Sequence, residues 1–278
     1  MFAGFWTWLH ILQFCTANQC VDPEEDALNK PWRPIPAGLI SIADARTFHL
    51  ILLPLCLCLS VWLGPKSSAK WHSISWALAG LAYNGFHFHA HWLTRNVGCA
   101  WLYGSLNAGA AIVAAGTFYV FIHPPWTLPN NNFTHVLGES GLTTRTAISV
   151  AVNSLIIFST LQSQDFRDLV GDTKTGRWTL PMVWPTGSRI SMLVIMTTWS
   201  VGLSRACDLA HLFSVPFCMW AAFIGTRFIQ KRTPDDDQQT YNYFNVRLYC
   251  FGGMCSTGLS HSLPCRCGSW PPKWCILQ

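Results

Sequence analysis

The sequence predicts an all-α, polytopic transmembrane helical bundle, and its composition and charge distribution carry that prediction. Of the 278 residues, 50% are apolar and only 11% are charged, against about 25% charged in soluble domains. The charged residues are also clustered, and the apolar runs between them approach the roughly 17 to 25 residues that a helix needs to cross a bilayer. Helices are expected because the edge amides of an open sheet would lack hydrogen-bond partners in lipid.

Seven apolar runs are predicted as membrane spans. In chain order they are residues 1–17, 47–63, 71–91, 98–122, 142–161, 190–203 and 208–228. The sixth run is short, but Gly187 and Arg205 bound it and the seventh follows almost at once, as in a tight helical hairpin. Residues 241–263 are the eighth candidate, so the predicted bundle has seven to eight spans.

The distribution of basic residues predicts the orientation in the membrane. Counting spans puts residues 18–46, 164–189 and 227–241 on one face, together with the short loop that contains Arg95, and this face has 11 of the 18 basic residues. The positive-inside rule makes it the cytosolic face. A glycosylation sequon, Asn132-Phe133-Thr134, lies in the longest loop of the opposite face. No lysine- or arginine-rich run of the kind that binds nucleic acid is present.

Two short clusters contain seven of the 13 acidic residues. They are Asp22, Glu24, Glu25 and Asp26 after the first span, and Asp165, Asp168 and Asp172 at the end of the fifth. On a helix the second set falls within roughly 60° of one face. In the first set Asn18, Asp22 and Asp26 are four residues apart, but Pro23 interrupts the helix, so Asp26 is expected in a loop.

Such closely spaced like charges repel one another unless a cation lies among them. Oxygen ligands without nearby histidine or cysteine favour a hard ion, Mg²⁺ before Zn²⁺ or Ca²⁺. Basic residues follow each cluster: Lys30 and Arg33 after the first, and Lys174 and Arg177 after the second. Carboxylates that hold a metal and cations that take the remaining charge predict a diphosphate site. The alternative is solvated helix ends whose cations anchor lipid headgroups.

These segments resemble the UbiA superfamily of intramembrane prenyltransferases. Residues 18–26 (NQCVDPEED) and 165–172 (DFRDLVGD) are similar to its two aspartate-rich motifs, and residues 30–38 (KPWRPIPAG) and 176–181 (GRWTLP) to the segments that follow them. The resemblance covers residues 1–249 as one membrane-embedded catalytic domain and leaves residues 250–278 as a tail. Members of this family normally have one complete helix before the helix that carries the first motif, so a first helix is expected to be missing here.

The resemblance implies a bundle of about nine helices around a lipid-accessible cavity, in which two Mg²⁺ ions hold a prenyl diphosphate between the motifs. The implied roles fall on matching positions of this sequence. Metal ligands would be Asn18, Asp22, Asp26, Asp165, Asp168 and Asp172, and the five aspartates are the implied catalytic residues. Diphosphate contacts would be Lys30, Arg33, Lys174 and Arg177, and Tyr83, Asn84 and Arg95 would cap the substrate cavity. Gln19 stands where many members have aspartate, which removes one candidate general base.

The predicted function is Mg²⁺-dependent transfer of a prenyl group to a lipophilic, aromatic acceptor within the bilayer. One alternative is a terpene cyclase, because residues 24–34 are similar to a fungal branch that includes cyclases. A truncated, inactive relative is a second alternative. A cation transporter is disfavoured because it would place acidic residues at mid-bilayer depth.

Two further polar patterns receive structural interpretations. His87, His89 and His91 are interpreted as interfacial histidines, and residues 235–237, three consecutive aspartates, as a solvated loop.

Overall fold

The computed structural model describes residues 2–63, 68–122 and 142–258, with side chains as far as residues 116 and 246 in the last two stretches. The described residues form helices and no β-strand, which confirms the predicted fold class. The sequon at Asn132 and the chain beyond residue 258, most of the predicted tail, lie outside the described residues.

The chain divides into two compact units, Met1–Phe158 and Ser159–Gln278. The helices of the first unit are α1 (Phe2–Gln19), α2 (Pro23–Asn29), α3 (Ile42–Leu63), α4 (Ala69–Gly80), α5 (Trp92–Ile122) and most of α6 (Thr144–Thr160). The helices of the second unit are α7 (Gln162–Thr175), α8 (Leu180–Val183), α9 (Pro185–Ala206), α10 (His211–Gln230) and α11 (Pro234–Gly258).

Within the described residues, four helical stretches are long and apolar enough to cross a membrane. They are Ile42–Leu63, Trp92–Gly116, Thr144–Thr175 and His211–Gln230, and they coincide with the second, fourth, fifth and seventh predicted spans. Only 17% of the first stretch is buried inside the protein, so its apolar surface is available to lipid. The first and sixth predicted spans fall on α1 and α9, and the total of seven to eight spans stays a prediction.

The third predicted span, residues 71–91, is wrong as one continuous helix. After α4 the chain passes into a π-helical turn, Leu81–Gly85. His87 then has φ +56°, in the left-handed region, before the 3₁₀ turn Phe88–Ala90. A left-handed residue cannot continue an α-helix, and the apolar composition of this segment concealed the break.

Small residues and polar contacts hold α1 against its neighbours in the first unit. The Trp6 ring is fully buried, and its Nε1 donates to Ser60 Oγ of α3 at 2.7 Å. A Cβ at Gly109 of α5 would lie 2.2 Å from the same ring, so only glycine permits this approach. His10 Nε2 is 2.8 Å from Ser73 Oγ of α4. Close approach at small residues and hydrogen bonds between helices are the usual means of packing in lipid.

An ion pair lies inside the apolar core of the second unit. The core side chains are Phe166, Met192, Met196, Ala221, Ile224, Phe228, Tyr241 and Phe244. Arg189 of α9 donates to both carboxylate oxygens of Asp237 at 2.8 and 2.7 Å, and to the Phe228 carbonyl at 2.7 Å. Its guanidinium carbon lies 4.4 Å from the centre of the Phe166 ring. This pair ties the first turn of α11 to α9 and α10.

The interpretation of residues 235–237 as a solvated loop is therefore wrong. Pro234 starts α11, and the three aspartates occupy its first turn, where negative charge is favoured by the helix dipole. Asp235 is exposed, whereas Asp237 is 1% exposed and paired with Arg189. Because the three aspartates are consecutive, the sequence does not distinguish Asp237, which pairs with Arg189 in the core, from the exposed Asp235.

We expect Asp237→Asn to lower the free energy of unfolding by about 3 to 5 kcal/mol, because it leaves the buried Arg189 charge without its counter-ion. Thermal unfolding of the purified protein in detergent micelles measures the loss. Asp235→Asn, two residues away and exposed, is the matched control and should keep the wild-type midpoint. Equal midpoints for the two variants would contradict this account of the core.

Candidate active site

The first acidic cluster is built on the junction between α1 and α2. α1 ends at Gln19, and Pro23 occupies the first turn of α2, where the missing N–H of proline costs nothing. The Asp22 carbonyl accepts the Asp26 N–H at 3.1 Å. Asp26 thus lies on α2 and is 2% exposed, which corrects the prediction that it lies in a loop.

Each of three acidic side chains in this cluster contacts a basic one. Arg33 Nη1 lies 2.7 and 2.8 Å from the two carboxylate oxygens of Asp26. Lys30 Nζ lies 3.6 Å from Glu25 Oε1. His89 Nε2 lies 3.0 Å from Asp22 Oδ2. The two cations that the sequence predicts for diphosphate therefore contact the acidic cluster itself.

Burial sets the electrostatics of Asp26. Desolvation raises the pKa of its carboxyl above the ordinary aspartate value, and the charges of Arg33 and Lys30 partly offset that rise. The ionised form is therefore costly without adjacent positive charge. A nearby cation, whether a side chain or a metal ion, stabilises this carboxylate.

The second acidic cluster lies on one face of α7. Asp165, Asp168 and Asp172 are 1%, 6% and 1% exposed, so the predicted acidic stripe is buried rather than solvated. After Thr175 the chain reverses at Gly176, whose φ of +70° is in the left-handed region. The Arg177 N–H then reaches back to the Asp172 carbonyl at 3.0 Å. This arrangement is typical of a glycine helix cap.

The reversal places one predicted cation beside the stripe and leaves another outside. Arg177 Nη1 lies 3.4 Å from Asp172 Oδ1, whereas Lys174 is exposed on the last turn of α7. Arg167, a residue of the second acidic motif for which no role was predicted, has its Nε 3.2 Å from Asp168 Oδ1. Arg167 could have been recognised from its place inside the acidic motif.

Two residues of α11 hold Arg167 in place. Its guanidinium carbon lies 5.2 Å from the centre of the Tyr241 ring, and its Nη1 donates to Gln238 Oε1. A guanidinium over an aromatic face is attracted by the negative ring quadrupole. No sequence pattern pointed to Gln238 or Tyr241, because both lie about 70 residues from the motif.

The three residues predicted to cap a cavity lie in the first unit. Tyr83 and Arg95 are each 5% exposed, and Tyr83 packs on Phe14 with ring centres 5.6 Å apart. Both amide atoms of Asn84 are buried without a hydrogen-bond partner among the described residues, as is Gln19 Oε1. Unsatisfied buried amides are rare in folded proteins, so both are available to a polar ligand.

The donor set suits a hard metal ion that uses few protein ligands. The acidic residues of both clusters provide oxygen donors, the type that Mg²⁺ prefers. Within the described residues, no three histidine, cysteine, aspartate or glutamate side chains converge on one point where a metal ion would fit. Mg²⁺ commonly takes one or two carboxylates and completes its shell with water and substrate phosphate, so the two observations are compatible.

We expect Asp26→Ala to loosen the turns that follow α2, because Arg33 loses the carboxylate that holds it. In those turns the N–H groups of residues 37–39 donate hydrogen bonds to the backbone carbonyls of residues 33–35. Removing a charged hydrogen bond worth about 1.5 kcal/mol should speed local opening by about tenfold. Hydrogen–deuterium exchange of the backbone amides in residues 33–39 measures the rate of this local opening. Glu24→Ala, which removes an exposed neighbouring acid, should leave exchange unchanged, and equal exchange in both variants would refute the role of the ion pair.

Three known proteins illustrate what this chain is similar to in sequence. The chain is 27% identical over 196 residues to somaliensene A/B synthase of Streptomyces somaliensis, covering 70% of this chain and 55% of that protein. It is 25% identical over 263 residues to a polyprenyl transferase of Hericium erinaceus, with 92% and 81% covered. It is 27% identical over 253 residues to a fumagillin β-trans-bergamotene synthase of Aspergillus fumigatus, with 88% and 76% covered.

A solved structure and a family model complete the comparison. A structure described as digeranylgeranylglyceryl phosphate synthase in membranes matches with a TM-score of 0.57 at 17% identity, covering 92% of this chain and 85% of that one. This match shows a shared fold. The relatives and the family match confirm the predicted class, an enzyme acting on prenyl diphosphates, and the shared fold agrees with an integral-membrane protein. The model of the UbiA prenyltransferase family matches residues 1–249, and the chain therefore belongs to the UbiA prenyltransferase family.

Proposed function

We propose that this protein ionises a prenyl diphosphate and transfers the prenyl group to a lipophilic, aromatic acceptor in the membrane. The observation that carries the proposal is the composition of the two clusters. In each one, buried carboxylates lie in contact with the basic side chains that a diphosphate would take as donors. A solvated helix end would not bury acids to this degree.

The first chemical step is the heterolytic cleavage of the bond between the allylic carbon and the diphosphate oxygen. The electron pair leaves with the oxygen, so the diphosphate gains charge and the prenyl carbon becomes a cation. Lys30, Arg33, Lys174 and Arg177 are proposed to neutralise the leaving diphosphate by charge-assisted hydrogen bonds. Arg33 and Arg177 would turn from their carboxylates to the phosphate oxygens.

The carboxylates released by that exchange suit Mg²⁺. The proposed ligands are Asn18, Asp22, Asp26, Asp165, Asp168 and Asp172. When bound, the metal supplies positive charge that stabilises the developing negative charge on the leaving oxygen. Burial of Asp26 makes its carboxylate costly to ionise, so adjacent positive charge is more stabilising there than it would be at a solvated aspartate.

The fate of the cation distinguishes the two candidate functions. In transfer, an electron-rich carbon of the acceptor attacks the cation and then loses a proton. In cyclisation, a double bond of the same prenyl chain attacks, and the final cation loses a proton or takes water. Relatives include both a polyprenyl transferase and a diterpene cyclase of Hericium erinaceus. Cyclisation is therefore the second candidate, and an inactive relative is the third.

The remaining proposals concern the membrane. The acidic clusters are proposed to lie on the cytosolic face, which carries most of the basic residues. Tyr83, Asn84 and Arg95 are proposed to line the substrate cavity, since Tyr83 and Arg95 are buried and both side-chain amide atoms of Asn84 are buried.

Release of diphosphate tests the proposed first step. Membranes containing the chain are given geranyl, farnesyl or geranylgeranyl diphosphate, with Mg²⁺ or with a chelator. We expect release that requires Mg²⁺ and falls about 100-fold or more in Asp168→Asn, because one stabilising group is lost from the site. Asp235→Asn, an exposed acid, should retain wild-type release. Equal release from the two variants would contradict the assignment of the acidic motif.

Product analysis of the same reactions separates the candidates. Mass spectrometry of extracts with added aromatic acceptors should detect prenylated acceptor. A cyclic hydrocarbon or alcohol formed without acceptor would overturn transfer in favour of cyclisation. Absence of diphosphate release from all three substrates would favour the inactive relative.

A further inference from the structure

His89 is a buried histidine that contacts the first acidic motif from another part of the sequence. It lies in the 3₁₀ turn Phe88–Ala90, directly after the left-handed residue His87. The ring is 4% exposed, which corrects its interpretation as an interfacial histidine. The non-α path of the chain between α4 and α5 is what brings this side chain to Asp22.

Two hydrogen bonds fix the plane and direction of the His89 ring. Nδ1 lies 2.8 Å from the Tyr83 carbonyl oxygen, and because a carbonyl only accepts, Nδ1 donates. Nε2 lies 3.0 Å from Asp22 Oδ2, and because an ionised carboxylate also only accepts, Nε2 donates as well, so both ring nitrogens carry a proton in this pair. The Tyr83 and His87 rings pack against it, with ring centres at 5.8 and 5.5 Å. The ring therefore cannot rotate without breaking contacts on every side.

Asp22 differs from the other acids in being poorly enclosed. Its side chain is 34% exposed, and it lies between the end of α1 and the start of α2. Glu25 and Asp26 are 4% and 2% exposed. A carboxylate that is held in one orientation by a fixed partner loses less rotamer freedom when it binds a metal ion.

We propose that His89 is a positioning residue that holds the Asp22 carboxylate in the orientation needed to bind the metal ion. A carboxylate has two oxygens, so one can bond to the imidazole while the other ligates the ion. Hydrogen-bonded partners of metal ligands typically contribute 10- to 100-fold in metal affinity. The inference rests on the proposed function, because it takes Asp22 as a metal ligand.

A second explanation must be separated from this one. His89 could act only as a core residue that attaches the turn after α4 to the rest of the first unit. In that case the bond to the Tyr83 carbonyl would matter and the bond to Asp22 would not. The two bonds use different ring nitrogens, and two amide side chains distinguish them.

The test compares His89→Gln with His89→Asn. The glutamine amide nitrogen reaches the position of Nε2 and can still donate to Asp22, whereas the asparagine amide reaches only the position of Nδ1. The sample is the purified protein in detergent with inorganic diphosphate. The readout is the Mg²⁺ concentration at which the unfolding temperature has risen by half of its maximal Mg²⁺-dependent increase. This measurement needs no turnover. His91→Gln, an exposed histidine two residues away, is the matched control.

We expect His89→Asn to raise the half-saturating Mg²⁺ concentration by about 10- to 100-fold, and His89→Gln to stay within about threefold of wild type. His91→Gln should match wild type. In a chain that already carries Asp22→Asn, adding His89→Asn should not raise the half-saturating Mg²⁺ concentration further, because His89 acts through Asp22. This double variant keeps the test decisive if His89→Asn also lowers the metal-free unfolding midpoint.

Other outcomes overturn the inference. Equal Mg²⁺ dependence in the Gln and Asn variants would show that the Asp22 contact is irrelevant, and an added effect in the double variant would show that His89 acts elsewhere. If the wild-type protein shows no Mg²⁺-dependent stabilisation with diphosphate, the proposed metal chemistry fails, and this inference with it. If Mg²⁺ stabilises the wild-type protein and the His89 variants have the wild-type half-saturating Mg²⁺ concentration, the proposed metal chemistry stands and only this inference is overturned.

Discussion

The pairing of buried acids with adjacent bases is the constraint on which the rest of this structure depends. A carboxylate removed from water is costly unless positive charge lies beside it. Asp26, Asp168 and Asp172 meet this requirement through Arg33, Arg167 and Arg177. The same physics governs the core of the second unit, where Arg189 and Asp237 form a bidentate pair. A chain with 11% charged residues thus keeps several of its acids in buried ion pairs.

Breaks in helical structure create these pairs. Proline at the start of α2 turns the chain after α1, so that Glu25 and Asp26 lie on this short helix in contact with Lys30 and Arg33. Gly176 in the left-handed region returns Arg177 to the end of α7. The π-helical turn after α4 and the left-handed His87 deliver His89 to Asp22. In a membrane protein such irregular backbone is tolerated where it is buried in protein or lines a polar cavity, which is consistent with a functional role for each of these segments.

Helix class and the acidic motifs could be predicted from the sequence because apolar length and the spacing of like charges are local properties. The acidic stripe on α7 required only the helical period. His89 and Asp237 were misread because their environment depends on backbone turns and on partners far away in sequence. Lys174 follows its motif as the resemblance requires, yet its side chain is exposed. The chain reversal at Gly176 brings Arg177, and not Lys174, into contact with Asp172. Burial of a charged residue is a tertiary property that neither composition nor spacing records.

The basic side chains now paired with the acidic motifs are proposed to exchange to diphosphate when the metal binds. An experimental structure with Mg²⁺ and a non-hydrolysable prenyl thiodiphosphate analogue tests it most directly. The account predicts metal density beside the carboxylates of Asp26 and Asp172, with Arg33 and Arg177 turned from those carboxylates to phosphate oxygens. Density for the analogue away from both motifs, with the present ion pairs intact, would contradict it.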